Sequence, residues 1–188
     1  MLAPRQYERE GAWHVPMGAM SRSGCRLQRL RLAVAEISCL QMPHQDVHIR
    51  RLNADDYHRM AEIWSEAGLP FRPNGRDGQA RVQAEMQGDS AIFLGAEIDG
   101  ELVAVVLGTH DGRKGWINRL AVLPEYRKRG IAKALTLEVE RRLNDAGILI
   151  VTCLIEGDNP ASEAFFQSLG YIGHPDITYY SKRKSPDW

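Results

Sequence analysis

The run Arg127-Lys-Arg-Gly130-Ile-Ala132 has residue types and a spacing that point directly to chemistry. An apolar strand, Trp116 to Val122, leads into it, and an amphipathic helix follows at once. A basic, glycine-containing turn at a helix start leaves several backbone N–H groups without acceptors, at the positive end of the helix dipole. Such a turn is an anion site, and a pyrophosphate suits it best. Gly130, lacking Cβ, lets the backbone approach a ligand closely. Arg127, Lys128, Arg129 and Lys133 add positive charge where phosphates would lie. Proton-transfer chemistry has fewer candidates. Glu156 and Asp158 follow an apolar run, and Tyr171, Tyr179 and Tyr180 lie near the C-terminus.

The elements that must position these groups are readable from periodicity. Val47 to Leu52 alternates as a strand does. Asn53 caps a helix with Tyr57, Met60, Ala61 and Trp64 on one face, stopped by Gly68 and Pro70. Gln79 to Gln87 forms a weaker helix. Ala91–Ile98, Glu101–Thr109 and Gly115–Val122 form an antiparallel meander, joined through Asp99-Gly100 and Asp111-Gly112. Ile131, Leu135, Val139 and Leu143 share one helix face, and Gly147 ends that helix. Ile148 to Ile155 is a continuous apolar run, expected as a strand buried on both faces. Pro160 opens a helix that ends at Gly170, and Tyr171–Gly173 with Thr178–Lys182 make a closing strand pair.

Residues 1–45 read differently. They hold six arginines against three glutamates, scattered prolines and glycines, and one short helical stretch from Cys25 to Leu40. They are expected to form a loose basic extension, or to follow from a start codon placed too far upstream, ahead of a single domain at 46–188. The 188 residues carry zero formal net charge, which argues against nucleic acid or an anionic membrane as partner. No apolar run approaches the ~20 residues needed to span a bilayer. The three cysteines form no C-x-x-C pair, which favours a reducing cytoplasm over a disulfide framework. The six histidines are scattered, and no metal site is expected.

Arg127-x-x-Gly130-x-Ala132 resembles the acyl-coenzyme A signature R/Q-x-x-G-x-G/A of the GNAT acetyltransferases. Asn159-Pro-Ala-Ser-Glu-Ala-Phe-Phe-Gln-Ser-Leu-Gly-Tyr171 resembles that family's N-x-x-A-x-x-[LF]-Y-x-x-x-G-[FY] element. With the element order, the resemblance covers residues 47 to about 183. It is nearest to compact single-domain members such as the ribosomal-protein alanine acetyltransferases. It implies an α/β (α+β) fold with a mixed central sheet of six to seven strands and helices on both faces. The implied activity is transfer of an acetyl group from acetyl-CoA to a primary amine, on a peptide N-terminus or a small molecule, without a metal. A homodimer is compatible with it. A non-catalytic acyl-CoA-binding module is the alternative.

By the same resemblance, the backbone from Arg127 through Gly130 and Ile131 to Ala132 cradles the pyrophosphate. The pantetheine arm lies between Leu120-Ala121-Val122 and Val151–Ile155, much as an added strand would. A backbone N–H there also polarises the thioester carbonyl. Asn159 either reaches the coenzyme or caps the helix at Pro160. Phe166 stands at the coenzyme where many members have a tyrosine that protonates the departing thiolate. Tyr171 is a substitute acid. A thiol pKa of ~8.5 makes unassisted departure only ~1.5 kcal/mol unfavourable. Members often place a glutamate where this chain has Asn118 and Arg119, which leaves Glu156 as candidate base. A weak base favours acceptors of low pKa. An α-amine at ~7.7–8.0 costs well under ~1 kcal/mol to deprotonate, and a lysine at ~10.4 costs ~4 kcal/mol. Phe71 and Arg72, on the loop from Leu69 to Asp77, are the expected specificity residues.

Overall fold

The computed structural model describes residues 46–185. The basic extension and the helix expected at Cys25–Leu40 lie outside the described residues. The elements run β1 (His48–Arg51), α1 (Tyr57–Glu66), α2 (Gln79–Met86), β2 (Ala91–Ile98), β3 (Glu101–His110), β4 (Gly115–Val122), α3 (Ile131–Asp145), β5 (Val151–Cys153) and α4 (Pro160–Ser168). Short 3-10 turns at Ala54–Asp56 and Pro124–Tyr126 precede α1 and α3.

The five strands form one mixed sheet in the order β1-β2-β3-β4-β5. The first three pairings are antiparallel, and β4 with β5 is parallel. Asp99 and Gly100 both have positive φ, 53° and 81°, which gives the β2–β3 hairpin the turn that matches strand twist. The Asp111 carboxylate accepts from the amides of Arg113 and Lys114, both at 2.8 Å, and so closes the β3–β4 turn. Asn53 and Asp56 form a reciprocal capping box ahead of α1. Tyr57, Met60, Ile63 and Trp64 then point into the core.

Helix α3 packs across β2, β3 and β4. Ile131, Leu135, Val139 and Leu143 are buried at the expected spacing. A Cβ on Gly108 would stand 2.4 Å from Val139 Cγ1, so β3 keeps a glycine where the helix lies closest. Truncating Leu135, fully buried, would leave a cavity costing about 2–5 kcal/mol.

The C-terminal part departs from the sequence expectation. The apolar run Ile148–Ile155 yields a strand of only three residues, and Leu149 is 81% exposed. The closing strand pair at Tyr171–Gly173 and Thr178–Lys182 does not form, and the sheet has five strands rather than six to seven. An apolar run makes a buried strand only where other elements cover both its faces. Here β5 pairs only with β4 among the described residues. No described strand pairs its outer edge, and Ile172, Ile177, Tyr179 and Tyr180 are exposed.

Candidate active site

β4 carries a bulge at the point where the site opens. Val105 pairs with Ala121 and Leu107 with Asn118, so Arg119 and Leu120 together face Val106. Arg119 takes a left-handed φ of 53° to make that bulge. On its other side β4 pairs with β5 only from Gly115 to Ile117. Beyond Ile117 and Cys153 no ladder joins them. Leu120, Ala121 and Val122 therefore have a sheet neighbour on one side and a gap on the other. Leu120 and Val122 are half-buried along it. Cys153 is half-buried in β5, and burial pushes its thiol pKa up.

The gap leads to the turn before α3. Lys128 and Gly130 have φ of 62° and 81°, and Gly130 is the N-cap. Among the described residues, the backbone N–H groups of Lys128, Gly130, Ile131, Ala132 and Lys133 have no backbone acceptor, whereas Ala134 already donates to Gly130. These N–H groups follow two left-handed residues at a helix N-terminus, the arrangement that binds phosphate oxygens.

Two of the basic side chains do not extend toward that space. The Arg127 guanidinium donates to the carbonyls of Val122 at 3.0 Å and Ala67 at 3.1 Å. It ties the end of β4 to the last turn of α1, where orphan carbonyls and the negative dipole end favour a cation. Arg129 donates to the Glu125 carbonyl and lies over the Tyr126 ring at 5.1 Å. Both brace the turn, so the backbone rather than these guanidiniums faces the anion space. Lys128 and Lys133 are exposed.

Opposite the β4 bulge the Leu69–Asp77 loop is built around Asp77, which sequence reading left as the mere end of a loop. Asp77 is 4% exposed. Its carboxylate accepts from the Arg119 guanidinium and, at 2.8 Å, from the Arg72 amide. The Tyr57 hydroxyl donates to its carbonyl at 2.8 Å. Arg119 also donates to the Pro70 carbonyl and sits 5.1 Å over the Trp64 ring. Burial lowers the Arg119 pKa, and Asp77 pulls it back up. Phe71 packs on Trp64 at 6.1 Å. The loop is thus held to the bulge of β4 by one ion pair. No local signal announces a partner this far along the chain.

The predicted proton-transfer residues are separated. Glu156 is exposed on the loop after β5, and its charge is felt at Arg119. Tyr171 donates its hydroxyl to Glu140 of α3 at 2.6 Å. Phe166 is 8% exposed, between Phe165 and Tyr171, at ring distances of 5.1 and 5.0 Å. The Asn159 side chain accepts from the Ser162 amide at 3.1 Å, which is the capping role. Asn118 donates to the Thr109 hydroxyl at 3.2 Å.

Residues 57–171 match the model of the acetyltransferase (GNAT) family. The chain belongs to the GNAT acetyltransferase family. It is 31% identical over 141 residues to Acetyltransferase SG1711 of Sodalis glossinidius (strain morsitans), a match spanning 75% of this chain and 98% of that one. Among solved structures, it is similar to AAC(6')-Iy in complex with a bisubstrate analogue, with a TM-score of 0.62, 22% identity, and coverage of 73% of this chain and 99% of that one. It is also similar to the PaiA N-acetyltransferase of Thermoplasma acidophilum in complex with coenzyme A, with a TM-score of 0.60, 22% identity, and coverage of 66% and 88%. The splayed strands, the bulge and the α3 turn of this GNAT chain are therefore the features of its fold from which function must be argued.

Proposed function

We propose that this protein transfers the acetyl group of acetyl-CoA to a primary amine, the α-amine of a peptide or of a small molecule, by direct attack. One observation carries this reading: β4, unpaired with β5 past Ile117, leads through one 3-10 turn to amides without a backbone acceptor at the start of α3. The amides of Lys128 and Gly130 to Lys133 would hold the pyrophosphate, and the open side of Leu120–Val122 would hold the pantetheine arm. The coenzyme supplies an acetyl thioester. The amine lone pair attacks its carbonyl, a C–N bond forms, the C–S bond breaks, and the thiolate leaves. A β4 amide at the bulge stabilises the developing oxyanion.

Glu156 takes the amine proton in this reading, supported by its proximity in charge to Arg119 at the bulge. The thiolate leaves without an acid, because the Tyr171 proton is engaged by Glu140. Residues 46–188 are the catalytic unit in this scheme. A non-catalytic acyl-CoA-binding role is the second reading. It is motivated by Asn118 and Arg119 standing where a base is often found, each already engaged within the protein.

Calorimetric titration of acetyl-CoA into the full chain tests the coenzyme site, with Gly130→Ala and Gly130→Glu as controls. No atom lies within 4 Å of a Cβ built on Gly130, so Ala adds only left-handed strain, about 1 kcal/mol. Glu adds a negative charge among the amides. Micromolar binding that Gly130→Glu abolishes and Gly130→Ala weakens modestly is the expected result. Absence of binding to the unaltered protein sinks the reading. Thiol release with an α-amine but not with a lysine side chain at neutral pH separates enzyme from binding module.

A further inference from the structure

Beside the acceptor loop lies a cavity of about 370 Å³ lined by Arg76, Tyr179, Ser181, Lys182, Arg183 and Lys184. Four of these six residues are cations, and none is acidic. A Lys-Arg-Lys run near a chain end is ordinarily a solvated face. Here it shares one cavity with an arginine from the loop that precedes α2. The chain as a whole is neutral, so this concentration of charge is local.

Among the described residues, the carboxylate paired with a lining cation is shared with other groups. Arg76 Nε is 3.8 Å from Asp77 Oδ1, but Asp77 already serves Arg119 and the Arg72 amide. Like charges gathered around one cavity repel each other, and a bound anion removes that cost. The Tyr179 and Ser181 hydroxyls add neutral donors. The cavity adjoins the β4 bulge, because Arg76 stands beside Asp77, the carboxylate that pairs with Arg119 there. No residue of the turn before α3 lines it.

We propose that the acceptor amine carries an anionic group, a carboxylate or a phosphate, and that this cavity holds it. The proposal deepens the acetyltransferase reading and rests on it. Two planar guanidiniums and two ammonium groups suit either anion. A polycationic amine would meet repulsion from the same four side chains.

The test is calorimetric binding to the full chain saturated with coenzyme A, so that phosphates already fill the α3 turn. The probes are phosphoethanolamine against ethanolamine, and β-alanine against its amide. Each anionic amine is expected to bind about tenfold or more tightly than its neutral partner, and the more favoured pair names the anion. The preference should vanish in the Arg76→Gln/Lys184→Gln variant and shrink as salt rises. Coenzyme A affinity should stay unchanged in that variant. Equal binding of anionic and neutral amines, tighter binding of a polycationic amine, or a preference that survives the double variant each overturns the proposal. Inorganic phosphate titrated without coenzyme into the unaltered chain and the double variant reads the cavity by difference, since the α3 turn is the same in both. Failure of coenzyme binding would sink the acetyltransferase reading alone, while loss of phosphate binding in the double variant would keep the anion site.

Discussion

Tyr171 shows how a neighbouring side chain decides what a reactive group can do. Burial pushes its phenol above the ordinary tyrosine range, and the hydrogen bond to Glu140 and that carboxylate's charge push the same way. Folding therefore favours the neutral phenol. The resulting stability is fully present below the unfolded value of ~10 and is lost as pH rises through the higher folded value. In an alkaline titration followed by tyrosinate absorbance, one tyrosine should ionise last, and Tyr171→Phe should remove that step. The same variant should keep acetyl transfer within about threefold, since a thiolate can leave unassisted for ~1.5 kcal/mol. A loss of ~10²-fold or more would make Tyr171 the acid after all. The phenol's place after α4 was legible in the sequence, but the orientation of its hydroxyl was not. Glu140 lies on α3, 31 residues earlier, and only packing brings the two together. Arg127 repeats the lesson. Its place in the motif is plain, yet its guanidinium clasps Ala67 and Val122 rather than open space.

Elements whose signals are local read out of the sequence nearly residue for residue. The apolar stripe of α3, the Asp99-Gly100 hairpin, the strand Gly115–Val122 and the glycine before α3 all fall where periodicity and turn chemistry put them. Elements that depend on distant partners do not. β5 is cut short, the closing strands are missing, and the Leu69–Asp77 loop is organised by an arginine on β4. That latch makes a prediction at its own scale. The Asp77 and Arg119 side chains are only 6% and 11% exposed, so Asp77→Ala strands a largely buried cation. The cost should reach about 3–5 kcal/mol in chemical denaturation. Asp77→Asn keeps the Arg72 amide acceptor and should cost less. In both variants the acceptor KM should rise more than acetyl-CoA affinity falls, since the latch holds the loop and not the α3 turn. Equal effects on both substrates would show that the latch merely supports the whole fold.

On the scale of the molecule, a five-stranded sheet with α3 across its middle supplies the rigidity, and the opening between β4 and β5 interrupts it near one edge. A coenzyme bound there would be held only by the folded state. At a hundredfold excess over its dissociation constant it should add about 2.7 kcal/mol of stability. For a chain of this size that is a rise in melting temperature of roughly 5–10 °C, measurable in a thermal-shift series with acetyl-CoA, coenzyme A and the Gly130→Glu variant. No shift at saturating ligand would count against a site in the opening. The stretch Leu120–Val122, which β5 leaves unpaired, has a further consequence. If bound coenzyme completes the sheet, the unliganded protein is the form more open to proteases. Its lifetime in a cell would then follow the supply of acetyl-CoA, and depletion would thin the population of molecules as well as slow each one.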